Sequence, residues 1–331
     1  MTGDRIIALT ILVLPTHVKK ALFALVAAMT LAAPLAQGEG PIDETRFTLR
    51  EQLLRLINRD RKQFGLSPVA LDAFASTVAD NYCREQIREG VSGHFGLNGE
   101  SPYMRYSFAG GNDGISENTA AWSASYNFGA RALYEMMHRS EDEMMNEVAP
   151  HDGHRRAILD PNATHVGIGM AWERGEFRLA EEFVRRYVTW SKELPRIASV
   201  SDAVLCGGKP APGYTIDAVS VHYEPLPAPI SAAVANKIET YRLPDKRHDY
   251  MPQARRRFRR LVATGMKGAA AHTEFVIGTD GAFSFHVPFT DGRGVYTVVV
   301  WVQKNGDSAP IPASNVSIKV QDVAQVSYSS R

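Results

Sequence analysis

Four residues between Ser92 and Gly169, His94, Glu117, Glu147 and His154, have side chains of the types that serve metal binding or acid–base chemistry. Each stands in its own local frame. His94 lies in Ser92-Gly93-His94-Phe95-Gly96, a glycine-flanked turn with little bulk to shield the ring. Glu117 lies in Ser116-Glu117-Asn118-Thr119-Ala120, directly after a glycine-rich passage. Glu147 closes Met144-Met145-Asn146-Glu147, and His154 opens the helix-like stretch Gly153–Leu159. Neutral imidazoles and carboxylates are common zinc ligands, at about 2.0–2.2 Å. Two His and a Glu leave a coordination position for water, whose pKa the ion lowers toward neutrality. The carboxylates would equally balance a protonated imidazole. The plainer role for any one of the four is a hydrogen-bonded buried residue that braces loops. His151 is a further ligand candidate, but its Asp/Pro-rich loop favours a solvated ring.

Other reaction chemistry is not written in the chain. It has no Gly-x-Ser-x-Gly elbow, no His-Glu-x-x-His helix and no phosphate loop. Ser92 and Ser116 neighbour two of the four residues. A serine nucleophile needs a positioned base and an oxyanion hole, however, and nothing in the sequence places them.

The elements that must position these groups are legible from periodicity. Leu49, Leu53, Leu56 and Ile57 recur at helical spacing, and Gly65 with Ser67-Pro68 ends that helix. A second helix opens at Asp72, an N-cap candidate. It buries Val78, Ala79, Tyr82, Cys83 and Ile87 and stops at Gly90. Asn58 and Arg61 are read as structural groups rather than pocket-edge ones. Phe108–Ile115 is a glycine-rich loop. A third helix covers about 130–147, its Leu133, Met136, Met137, Met144 and Met145 read as core filler. After the turn Asp160-Pro161-Asn162 come two strands, Val166–Trp172 and Phe177–Val188, joined by Glu173–Glu176.

In order and flanking sequence these motifs resemble the CAP superfamily (cysteine-rich secretory protein, antigen 5, pathogenesis-related 1) in its bacterial form, over roughly Phe47 to Val188. Leu56-Ile57-Asn58-Arg59-Asp60-Arg61 also fits that family's first helix. The resemblance implies an α+β fold, a three-layer α-β-α sandwich with the 166–188 hairpin as the spine of its sheet. It also implies that His94, Glu117, Glu147 and His154 converge in a central cleft. His94, Glu117 and His154 match directly. Glu147 takes the fourth place at the end of the third helix, with Glu135 as its rival. The spacing of seven from Glu147 to His154 is shorter than in eukaryotic members. Their many disulfides are missing too: Cys83 is read as a buried thiol and Cys206 as part of a linker.

The rest of the chain sets its organisation. Residues 21–36 are apolar, follow Lys19-Lys20 and end in small residues, so residues 1–38 read as a signal peptide. The apolar run upstream of the lysines suggests a later true start. The CAP domain is expected over 45–190, a Gly/Pro-rich linker over 191–212, a β-sandwich of immunoglobulin-like type over 213–322, and a tail over 323–331. Arg255–Arg260 is the one basic cluster, read as a solvated connector face. A net charge of +1 gives no reason to expect nucleic acid.

The expected protein is secreted or periplasmic, without a stable membrane span in its mature form. It binds a small-molecule, lipid-like or carbohydrate-like ligand in the His/Glu cleft without turnover. Zinc is the candidate ion, on His94 and His154 with Glu117 and Glu147. A zinc-assisted hydrolase of peptide or ester bonds in the same cleft is the alternative, and a cell-surface adhesion module a third reading. Oligomeric state is left open.

Overall fold

The computed structural model describes residues 41–252, 275–306 and 309–322. The expected signal peptide, the cluster Arg255–Arg260 and the tail 323–331 lie outside the described residues. The chain divides into residues 1–44 and Thr45–Arg331, and the fold lies in the second unit. Its elements begin α1 (Pro41–Gln63), β1 (Ala70–Leu71), α2 (Ala73–Glu89), α3 (Pro102–Phe108) and β2 (Gly114–Ser123). There follow α4 (Ala130–Met145), α5 (Gly153–Ile158), β3 (His165–Glu173) and β4 (Glu176–Arg185). The helix breaks fall where the sequence places them: Asp72 caps α2, accepting from the N–H of Ala75, and Gly90 ends it at φ 66°.

These four strands form one sheet in the order β1-β3-β4-β2, with helices on both faces. Alternation along β3 shows why. Val166, Ile168 and Met170 join Leu49, Leu53 and Ile57 of α1 and Leu133, Met137 and Met144 of α4 in one core. The residues between them face α2, which lies so close that side chains do not fit. A Cβ at Gly169 would stand 2.2 Å from the backbone of Ala79, and one at Gly167 2.4 Å from that of Ala75. The two glycines in Val166-Gly167-Ile168-Gly169 are therefore a docking groove for α2. Glu117, expected after a loop, sits in mid-strand on β2, opposite Glu182 of β4.

A four-stranded sheet has two open edges, and both are closed by groups from outside the sheet. β1 pairs with only the first two residues of β3. Beyond that, the N–H of Ile168 donates to Ser76 Oγ (3.0 Å) and its carbonyl accepts from Arg50 (2.7 Å). Met170 does the same with Asp80 (2.9 Å) and Arg46 (3.0 Å). The β2 edge is closed from the other half of the chain. Asn315 accepts from the N–H of Ile115 and donates to its carbonyl (3.2 and 3.1 Å), while Ala313 takes the N–H of Gly114 (3.0 Å).

That other half is all-β. One sheet runs β10 (Phe275–Ile277), β11 (Phe283–Val287), β7 (Val204–Pro210), β5 (Val188–Lys192). The other runs β6 (Ile197–Ser199), β14 (Val316–Gln321), β12 (Gly294–Lys304), β8 (Tyr214–Glu224), β9 (Arg247–Tyr250), with β13 (Pro310–Pro312) beside β12. A shared core of Val219, Val298, Val300, Phe283 and Phe285 fills the space between them.

Two expectations need correction here. The segment 191–212 is not a linker: it ends β5 and supplies β6 and β7. Its glycines serve close strand approach, since a Cβ on Gly208 would lie 2.7 Å from the carbonyl of Thr189. Cys206 accordingly sits buried on β7 and Cys83 buried on α2, both as free thiols. Nor does the β region stand apart. Val295 of β12 packs with Tyr103, Met104 and Tyr106 of α3, and Ser107 bonds both the carbonyl of Asn315 (3.2 Å) and the N–H of Ser317 (3.0 Å).

The α2 groove makes a direct test. Gly169→Ala should lower stability to urea by about 2–3 kcal/mol or more, the cost of overpacking a site with backbone on the far side. Gly153→Ala, with nothing within 4 Å of the added carbon, should stay within about 0.5 kcal/mol of the parent. Equal stability of the two variants would mean that α2 does not rest on those glycines.

Candidate functional site

His94 is positioned through its backbone. Tyr82 and Gln86, one turn apart on α2, both donate to the carbonyl of Gly93, at 2.6 and 2.9 Å. Arg105 on α3 donates to the carbonyl of His94 at 3.3 Å. The imidazole is 6% exposed, and its Nδ1 meets Glu117 Oε1 at 2.9 Å. The other oxygen of Glu117 accepts from Arg105, whose guanidinium lies 3.3 Å from the centre of the Tyr82 ring. Burial alone would raise Glu117; the Arg105 charge and the His94 hydrogen bond outweigh it and hold the carboxyl below its ordinary value.

The second pair forms beyond α4. Glu147 Oε2 accepts from the N–H of His154 at 2.9 Å, and Oε1 meets His154 Nδ1 at 2.5 Å. Arg61, fully buried, ties α1 to this segment by donating to the carbonyls of Ile158 (2.7 Å) and Asp160 (2.9 Å). Asn118 of β2 donates to the carbonyl of His154 at 3.2 Å. The rings of His94 and His154 come within 6.2 Å of each other, centre to centre. All four residues line one cleft of about 950 Å³, along with Ser116, Arg155, Arg185 and Tyr241. Glu135 is elsewhere, on the exposed face of α4 with Arg131 at 2.8 Å. His151 is exposed at the cleft's border.

The donor set decides how an ion would fit. Both oxygens of Glu117 are taken, by His94 and Arg105, and both of Glu147 by His154. Among the described residues no group of three or more His, Cys, Asp and Glu side chains is arranged to hold a metal. In this structure the two carboxylates orient the rings, and each of their oxygens already has a partner. With Nδ1 committed to a carboxylate, Nε2 is left as the lone-pair nitrogen of each neutral ring. Two imidazoles fit a divalent ion; carboxylate-braced histidines are the usual support for one. The neighbouring serines are otherwise engaged: Ser116 Oγ accepts from Arg185 (3.0 Å) and Ser92 contacts Asn236.

Several working residues carried no sequence signal strong enough to single them out. Tyr82 and Gln86 lie on a stripe otherwise apolar, where the tyrosine passes for core. Arg105 is one of several arginines. Beneath the cleft lie buried acids: Glu182 beside Glu117, and Glu181 beside Glu141. Burial, then the charge of Glu117, pushes Glu182 well above the carboxylate range. Glu181, whose Oε2 accepts from Asn118 at 3.1 Å, is pushed up to about 7 by burial. No N–H reaches either oxygen of Glu141, which burial also raises.

One family model matches the part of the chain that carries the site. The sequence model of the cysteine-rich secretory protein family, CAP, matches residues 54–179. The chain carries a CAP domain there. Among solved structures, an extracellular protein containing an SCP domain from Bacillus anthracis is similar at 17% identity and a TM-score of 0.34, over 47% of this chain and 45% of that one. An outer surface protein from Borrelia burgdorferi is similar at 16% identity and a TM-score of 0.35, over 42% of this chain and 93% of that one. This chain therefore spans less than half of the Bacillus anthracis protein. No protein among the curated ones matches it.

The buried acids give a pH dependence of known sign. Glu181 keeps its proton in the folded state up to about 7, against an ordinary value of 4.5. The folded form then binds more protons than the unfolded one, so stability falls as pH rises across that window. One proton contributes at most about 1.4 kcal/mol per pH unit. Urea unfolding of Glu181→Gln should show a flatter decline over that window than the parent. An unchanged slope would mean that Glu181 does not hold that proton.

Proposed function

We propose that the CAP domain binds a polar, oxygen-bearing ligand of carbohydrate-like character in the His94–His154 cleft, without turnover. The lining carries the reading: charged and hydrogen-bonding side chains such as Arg155, Asp160, Arg185 and Glu239 outnumber apolar ones such as Leu159 and Pro161. The cleft's volume suits a small-molecule ligand, and a lipid-like one would call for a more continuous apolar wall. A divalent ion on the two Nε2 atoms would add a Lewis acid for a ligand oxygen. The same reading takes the chain to be exported, since residues 21–36 have the pattern of a signal peptide.

A second reading, hydrolysis, is favoured by one observation only, the pair of carboxylate-oriented imidazoles facing one cleft. Against it stand the engaged serines and the carboxylates, whose oxygens are already committed to orienting groups. Glu147 is the less buried of the two and the better candidate for a base.

Zinc titration separates these ideas from coincidence. A ligand bound only by the folded state stabilises it, by about 2.7 kcal/mol at a hundredfold excess over Kd. Zinc should therefore raise the melting temperature of the intact protein, His94→Ala and His154→Ala should each remove the rise, and His138→Ala, on the outer face of α4, should keep it. An equal response in all variants would place the ion on surface histidines. On peptide, ester and glycan panels the parent should do no better than Glu147→Gln. Because a positioned base contributes about 10²–10⁴-fold, hydrolysis lost in that variant would establish the second reading in place of the first.

A further inference from the structure

We infer that Tyr241 is a positioning residue for the His94–Glu117 pair, and that the cleft is built jointly by the CAP domain and a long excursion of the β region. The inference rests on reading this cleft as the binding site. Between β8 and β9 the chain leaves its sheet for residues 225–246 and crosses onto the CAP domain. It is pinned along the turn that carries His94. Asn236 accepts from the N–H of Ser92 (2.9 Å) and donates to the carbonyl of Gly90 (3.0 Å), and Ile230 donates to the carbonyl of Leu97 (2.9 Å). The glycines of that turn make room for it. A Cβ on Gly93 would meet the carbonyl of Ile238 at 3.3 Å, and one on Gly99 that of Ala228 at 2.4 Å.

The excursion delivers Tyr241 to the pair. Its ring packs edge-on against His94, with centres 4.8 Å apart and planes at 62°. Its hydroxyl accepts from the N–H of Glu117 at 2.5 Å and reaches the carbonyl of the same residue at 3.5 Å. A phenol can accept and donate at once, so one side chain closes the β2 edge at the residue whose carboxylate orients His94. Two contacts from different parts of the chain thus fix the ring: Glu117 on Nδ1 and Tyr241 beside it. Glu239 and Thr240, both exposed, continue the same wall. A ligand that reaches His94 meets residues of the β region, and selectivity for it is shared between the halves.

The test uses the full chain, with zinc alone as the probe and with NMR of the metal-free protein. In Tyr241→Phe, Glu117 loses its hydroxyl partner. Its amide should shift and exchange faster with solvent, while the His94 ring protons, assigned by their loss in His94→Ala, stay near their original positions. In Tyr241→Ala those ring protons should move as well. Zinc affinity should stay near that of the parent in Tyr241→Phe and fall about tenfold in Tyr241→Ala, the lower end of the loss seen when a group that orients a ligand is removed. Unchanged His94 resonances in a folded Tyr241→Ala protein would overturn the inference. So would an unchanged Glu117 amide in Tyr241→Phe, which decides the matter if the alanine variant does not fold. Should zinc bind the parent without His94 and His154, the metal reading of the cleft fails, and the amide and ring signals still decide the role of Tyr241.

Discussion

A strand at the edge of a sheet has N–H and C=O groups that must find partners, and on β2 those partners come from the β region. Gly114, Ile115 and Glu117 point their outward backbone groups at Ala313, Asn315 and Tyr241. Closing this edge does two things at once. It removes a place where another chain could add a strand, and it locks the strand that bears Glu117. The joint between the halves and the geometry of the cleft are thus one set of hydrogen bonds. Side chains of α1 and α2 do the corresponding work at the β3 edge, but there no site residue depends on them.

The charges in the cleft follow from the same burial. Glu117 is fully enclosed and remains ionised because Arg105 and His94 stand on its two oxygens. Glu182, next to it across the strand pair, has no such cation of its own and takes the neutral form instead. A buried charge without a partner costs several kcal/mol, so the protein resolves two adjacent acids by ionising one and protonating the other. For the pair Glu141 and Glu181, on the opposite face of the sheet, burial outweighs the charge of Arg59 near Glu141, and both are raised. Protonation states here are a consequence of which buried carboxylate has a cation against it.

Much of this was readable in the sequence, and the failures are instructive. The helix stripes, the Asp72 cap, the β3–β4 hairpin and the order of the four cleft residues all come from local signals with short range. Glycine was the main source of error, because one residue type answers several needs. Gly207 and Gly208 read as linker and are strand; Gly93 reads as freeing the histidine and instead admits Ile238. Missing alternation was a signal left unused. Val298-Val299-Val300 is apolar on both faces, as a strand covered on both sides should be, and it marked β12 as lying between the β core and α3. Tyr241 had no local signal at all: its partners are 124 and more residues away.

The geometry also changes what the four cleft residues mean. Counted as types, two histidines and two glutamates look like four ligands. Placed in space, they are two histidines whose rings are aimed by two glutamates, and each glutamate is fixed in turn by something else. For Glu117 these are Arg105 and the Tyr241 hydroxyl; for Glu147 they are the backbone of α5, which Arg61 anchors. Such nesting leaves the two Nε2 atoms as the reactive surface and makes the carboxylates unsuited to accept a proton without releasing a ring. A proton taken up in the cleft would go to Nε2 of a ring and not to a carboxylate, and the carboxylate on Nδ1 would stabilise the imidazolium so formed while keeping the ring in place.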